Sequence, residues 1–201
     1  MRLLRVLLLA TLALALTACA GTTPNLDPVG KTFPSVQGTS LSGKPYKLPE
    51  DMAGKPTVLL VAYVQDAQFD VDRWLLGLIQ ARLNAQIYEV PTVDGFVPTV
   101  LSDVIDDGMR SGIPKDDWGA VVTVYDDGDK IVAFTGNEQP RNCRAILLDA
   151  DGKVVWFHDE GYSARLVLEL EERIAELNAS SSPPVGAPAA SSSASGDVPA
   201  P

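Results

Sequence analysis

Two cysteines are the only thiols in the 201 residues, and each sits in a setting that suggests a different chemistry. Cys143 lies in Pro140-Arg141-Asn142-Cys143-Arg144. If Arg141 and Arg144 pack beside it, their charge favours the thiolate, the form that attacks disulfides and peroxides. The competing reading is a small core residue whose burial keeps the thiol protonated and inert. A second segment, residues 65–72, gathers Asp66, Gln68, Asp70 and Asp72. These four can form an acidic binding face, although Asp70 also suits the cap of a helix starting there. Asp126-Asp127-Gly128-Asp129 lacks the alternating acids and closing glutamate of a calcium loop, so it reads as turn chemistry. His158 is the only histidine, which leaves no Ser-His-Asp triad and no paired histidine ligands, and it reads as a strand-end surface residue. No glycine-rich phosphate loop is present. The sequence therefore points to no catalytic set beyond the thiol, no metal and no cofactor.

Cys19 ends a different pattern. Arg2 and Arg5 precede an apolar run from Leu3 to Leu16, and Thr17-Ala18 place small residues before the cysteine. That is a bacterial secretory signal closing on a lipobox, with cleavage expected after residue 18 and acylation of the Cys19 thiol. The apolar run is shorter than the roughly 18–20 residues of a spanning helix. Two or more acyl chains give stable anchoring, so the expected location is the cell envelope, facing the periplasm. Ala20, in place of the Asp that retains such proteins at the inner membrane of enteric bacteria, favours the outer membrane.

Removing residues 1–18 takes Arg2 and Arg5 away and leaves 14 basic against 26 acidic side chains, a charge of −12. Nucleic acid is excluded as a partner, because its affinity comes from Lys and Arg neutralising phosphates. Charge attraction to anionic lipid is excluded on the same ground. Membrane residence then falls to the acyl chains on Cys19, and the remaining expected partner is an envelope protein. With Cys19 acylated, Cys143 has no mate for an intramolecular disulfide.

Composition divides the chain into a signal (1–18), a lipidated tether (19–29), one domain (30–177) and a tail (178–201). The tail is nearly all Ser, Ala, Pro and Gly and is expected to be disordered. Within the domain, residues 57–64 form a near-continuous apolar run, as in a strand buried on both faces. Val71, Trp74, Leu75, Leu78, Ile79 and Leu83 follow at helical spacing, with both Trp74 and Trp156 expected in the core. Residues 86–90 suggest a second strand, 101–109 a second helix and 120–125 a third strand. Residues 129–135 fit either a hairpin or a short helix. Asp149-Ala150-Asp151-Gly152 joins two late strands, and 163–177 closes the domain as a helix. The fold class is α/β: a central mixed sheet flanked by helices, with an N-terminal β-hairpin extension.

That order, with the phrases Val29-Gly30-Lys31-Thr32-Phe33-Pro34, Gly54-Lys55-Pro56-Thr57 and Leu147-Leu148-Asp149-Ala150-Asp151-Gly152-Lys153, resembles the thioredoxin-like superfamily, particularly its membrane-tethered bacterial branch. The resemblance implies Cys-x-x-Cys where the first core strand meets its helix, and a cis-proline before the late strand. Residues 65–74 contain no cysteine, and Pro140 falls three residues early. A degenerate domain of this kind is similar to assembly factors for the membrane sector of mitochondrial ATP synthase, with Trp74 and Trp156 as shared features. The expectation is a redox-inactive domain serving as a binding or assembly module. The alternative is a thiol-dependent oxidoreductase or peroxidase acting through Cys143.

Overall fold

The computed structural model describes residues 22–93 and 99–181; the apolar leader, Cys19 and the sequence beyond Ser181 lie outside them. In chain order the elements are β1 (Val36–Ser40), β2 (Pro45–Leu48), β3 (Thr57–Ala62), α1 (Gln68–Ala81), β4 (Gln86–Pro91), α2 (Thr99–Gly112), β5 (Val122–Thr123), α3 (Gly128–Thr135), β6 (Arg144–Leu148), β7 (Val154–His158) and α4 (Ala164–Ser181). All six residues of β3 are buried, as its unbroken apolar run requires. It lies parallel to β4 and antiparallel to β6, which pairs in turn with β7, giving the order β4-β3-β6-β7.

Alternation along β3 divides the core in two. Val58, Leu60 and Ala62 face Val71, Trp74 and Leu78 of α1 and Leu166, Leu170 and Ile174 of α4. Leu59 and Val61 face the other layer, where Phe33, Val36, Leu48, Met52 and Ile131 pack. α1 comes close to α4 and the loop before it at Gly77, where an added Cβ would stand 3.0 Å from Val167 and 2.9 Å from the Tyr162 ring.

The β1–β2 hairpin is the expected extension, and it forms a three-stranded sheet with β5. Here the sequence reading needs correction. Residues 120–125 do not form a full strand; only Val122 and Thr123 do, pairing with β1. Parallel bridges from Val121 to Glu89 and from Val124 to Thr92 connect this sheet to β4. Residues 128–135 are a helix, which decides between the two readings of that stretch. β2 opens with Pro45, and the Lys47 N–H donates to the Asp51 carboxylate at 2.7 Å.

The structure also describes residues that flank the expected domain at both ends. α4 continues through Ser181, four residues past Leu177, into the stretch read as tail. Residues 22–29, from the stretch read as tether, lie against the domain. Leu26 N–H donates to the Thr135 carbonyl at 3.0 Å, Asn137 N–H to the Thr23 carbonyl at 2.9 Å, and Glu138 N–H to Asn25 Oδ1 at 2.9 Å. Gly136 has φ +73, and a Cβ there would overlap the Pro24 carbonyl oxygen, so the close approach depends on glycine. The strap then reaches β7, where Gly30 N–H donates to the Val154 carbonyl and Val154 N–H to the Lys31 carbonyl, both at 2.9 Å.

Candidate functional site

β3 and β4 end, and β6 begins, at the same pole of the sheet, because Val61 pairs with both Val90 and Arg144. α1 starts there after a short turn at Gln65–Ala67. The pole thus collects the sequence-predicted residues from segments about 70 positions apart. It does not arrange them as expected.

Asp70 is not the cap of α1. Ala67 occupies that position with no side-chain cap, and Asp70 lies inside the first turn. Nor does it belong to an exposed acidic face, since it is only 3% exposed. Its Oδ2 accepts the Cys143 N–H at 3.0 Å, and its Oδ1 accepts the Tyr162 N–H at 2.9 Å and an Arg73 N–H at 3.0 Å. One carboxylate therefore pins the start of α1 to the entry of β6 and to the loop before α4. Charge-assisted bonds of this kind are about twice as strong as neutral ones.

Cys143 is fully buried. Burial pushes its thiol well up from the ordinary range, the Asp70 and Glu89 carboxylates add to the rise, and Arg144 opposes it. The arginine arrangement that would have favoured thiolate is absent. Arg144 alternates to the opposite face from Ala145, donating at 2.7 Å to the Gln139 and Asn142 carbonyls with its guanidinium 5.1 Å from the centre of the Tyr63 ring. Arg141 is exposed and pairs with Asp66 at 3.4 Å. Of the four residues read as a binding face, Asp66 and Asp72 are exposed and Gln68 is half-buried; Asp70 is removed from it.

Glu89 was not singled out from the sequence. It stands beside Leu60 on the α1 side of β4, 4% exposed, with Oε1 lacking a hydrogen-bond partner. The only hint was an acid inside the alternating run Gln86-Ile87-Tyr88-Glu89-Val90. Burial raises its carboxyl to about 7, a hydrogen bond from Gln68 opposes this, and the Asp72 charge adds to it. The folded value lies above the unfolded one of about 4.3, so the folded state holds this proton more tightly. Glu89 therefore contributes stability that is fully present below about pH 4.3 and is lost as pH rises through about 7. Unfolding free energies from urea titrations between pH 5 and 8 are expected to fall with a slope of up to about 1.4 kcal/mol per pH unit. Glu89→Gln is expected to flatten that slope; equal slopes in both proteins would show that Glu89 does not titrate there.

Beneath the pole, Trp74 makes edge contacts with Trp156 and Tyr162, at ring separations of 6.1 and 5.6 Å. His158, read as a surface residue, is half-buried: it stacks on Trp156 and its Nε2 lies 2.9 Å from the Gly161 carbonyl. Both tryptophans are core, as expected. Asp149 Oδ1 accepts the N–H groups of Asp151 and Lys153, and Asp127 binds the Gln37 N–H and Lys130, so both acidic clusters are turn and contact chemistry. Among the described residues no group of three or more His, Cys, Asp or Glu is placed to hold a metal ion, and no helix is long and apolar enough to cross a membrane. A shallow concavity lined by Phe33, Pro49, Glu50 and Asp151 lies at the opposite pole.

No protein-family model matches the sequence, and no curated protein matches it. Solved structures do match. The exposed lipoprotein thioredoxin of Streptococcus pneumoniae superimposes with a TM-score of 0.50 at 14% identity, covering 70% of this chain and 99% of its own. Copper-bound yeast Sco1 gives 0.51 at 12% identity, covering 75% and 94%.

The fold is thioredoxin-like.

A thiol peroxidase from Chromobacterium violaceum shares it, at a TM-score of 0.50 and 12% identity over 78% of this chain and 92% of its own. These identities establish the thioredoxin-like fold and nothing finer. Within that fold, the junction of β3 and α1 carries Gln65 to Asp70 without a thiol, and Gln139–Pro140 is trans.

Proposed function

We propose that this is a lipid-anchored envelope protein whose thioredoxin-like domain is redox-inactive and acts as a binding or assembly module through its α1–β6 pole. The observation that carries the reading is Asp70. Where a dithiol would have to sit, a buried carboxylate ties the backbone of Cys143 down. Dithiol exchange needs an attacking thiolate and a second thiol to resolve the mixed disulfide; α1 supplies neither, and Cys143 is buried with its thiol pushed up from the ordinary range. What the pole offers to a partner is a surface: Asp66, Phe69, Asp72, Arg73 and Arg141 are all exposed. The anchor follows from the lipobox at Cys19, and the envelope protein it meets is the expected partner.

The competing reading, thiol chemistry at Cys143, is consistent with oxidoreductase and peroxidase relatives of the fold. The two separate in one assay. The purified chain is expected to reduce insulin with dithiothreitol, and to consume hydrogen peroxide, no faster than buffer. Turnover above buffer that disappears in Cys143→Ser would establish the enzyme instead.

A further inference from the structure

The strap enters the domain at the site. Thr23 and Leu26 bond to Asn137 and Thr135, and the Arg144 guanidinium reaches Asn25 Oδ1 at 3.4 Å. Arg144 opens β6 at the pole where α1 begins. The strap leaves that region toward Val154, at the far end of the antiparallel β6–β7 pair. Its upstream end is therefore fixed beside the pole that carries Asp66, Phe69 and Arg141. Cys19 precedes Thr23 by four residues, and four extended residues reach at most about 14 Å.

We infer that the docked strap makes the lipid anchor an orienting device: it holds the α1–β6 pole toward the bilayer, where the pole receives a segment of a protein embedded in the same membrane. This rests on the acylation of Cys19 proposed above. The composition of the pole suits such an occupant. Phe69 is 77% exposed, Leu26 42% and Val64 40%, interspersed with the Asp66–Arg141 pair and Arg73. Aromatic and arginine side chains are those that anchor protein interfaces. Among the described residues, the pole has no cluster of four or more adjacent basic residues of the kind that recruits anionic headgroups. A chain tethered within about 14 Å of the surface presents that pole to membrane-embedded neighbours.

The test uses the full lipidated chain, extracted from membranes and reconstituted in phosphatidylcholine–phosphatidylglycerol vesicles. A bimane fluorophore is attached at Phe69→Cys in one sample and at Asp151→Cys, in the opposite turn, in the other; buried Cys143 does not compete for it. A headgroup spin label is expected to quench position 69 several-fold more than position 151. A flexible Gly/Ser insertion of about twenty residues between Ala20 and Gly21, upstream of the docked segment, is expected to abolish the difference. Equal quenching at both positions in the uninserted chain overturns the inference. Strong quenching at position 69 by a spin label deep in the acyl chains also overturns it, since the bilayer itself is then the occupant. In cells, a photoreactive side chain at position 69 is expected to cross-link to an integral membrane protein, and adducts with soluble proteins alone refute that partner class. A chain that does not float with the vesicles fails at the earlier step: the anchor is wrong.

Discussion

Asp70→Ala is expected to lower the unfolding free energy by about 2–4 kcal/mol, although the residue touches no known ligand. The substitution leaves the Cys143 and Tyr162 N–H groups without their acceptor. Each buried, unsatisfied donor costs about 1–3 kcal/mol. The third bond, to the largely exposed Arg73, adds little because solvent screens it. At about 2–4 °C per kcal/mol for a domain of this size, the melting temperature should drop by roughly 4–16 °C. Asp70→Asn keeps an acceptor oxygen but turns a donor toward donors, and is expected to fall between alanine and wild type. Urea titrations followed by tryptophan fluorescence measure all three proteins. A loss below about 0.5 kcal/mol for alanine would mean that water reaches these amides and that Asp70 is no clamp.

The second large effect concerns reactivity. In the folded protein Cys143 is expected to alkylate at least about a thousandfold more slowly than the same thiol in urea, since reaction requires an opening that costs about 4 kcal/mol or more. The rate should keep climbing with pH beyond the ordinary thiol range, because burial and the Asp70 and Glu89 carboxylates all resist ionisation. Asp70→Ala should quicken the reaction by freeing the Cys143 backbone. A plateau reached below about pH 8 would instead identify a stabilised thiolate. The binding reading would then give way to catalysis at Cys143.

The fold was legible where a local pattern decides the outcome. β3 follows from an apolar run, α1 and α4 from helical spacing, and the β6–β7 turn from Asp149 and Gly152. The site was legible only as a place. An Asp early in a helix has a local role by rule, the cap. Here its partners lie 73 and 92 residues away, and no spacing reveals them. Arg144 was read as a neighbour of Cys143 because it follows it in sequence. In a strand, adjacent side chains point to opposite faces, so that closeness works against contact. β5 shrinks to two residues because its pairing depends on β1, more than 80 positions earlier, rather than on its own β propensity. The strap was read as linker from its Gly, Thr, Pro and Asn content. Thr23, Asn25 and Leu26 of that segment bond to 135–138, and composition alone does not separate a docked segment from a free one.

The two outermost strands have a bearing on self-association. An open strand edge invites one chain to zip onto another, and the lipid anchor proposed above would make such encounters frequent by confining copies to a plane. Here neither flank offers a clean row of donors and acceptors. β2 has four residues, begins with Pro45, and gives the Lys47 N–H to Asp51. On β7, the strap takes both backbone groups of Val154 and bridges Lys153 through Thr32. The docked strap thus also occupies part of the β7 edge that a second copy could otherwise pair with.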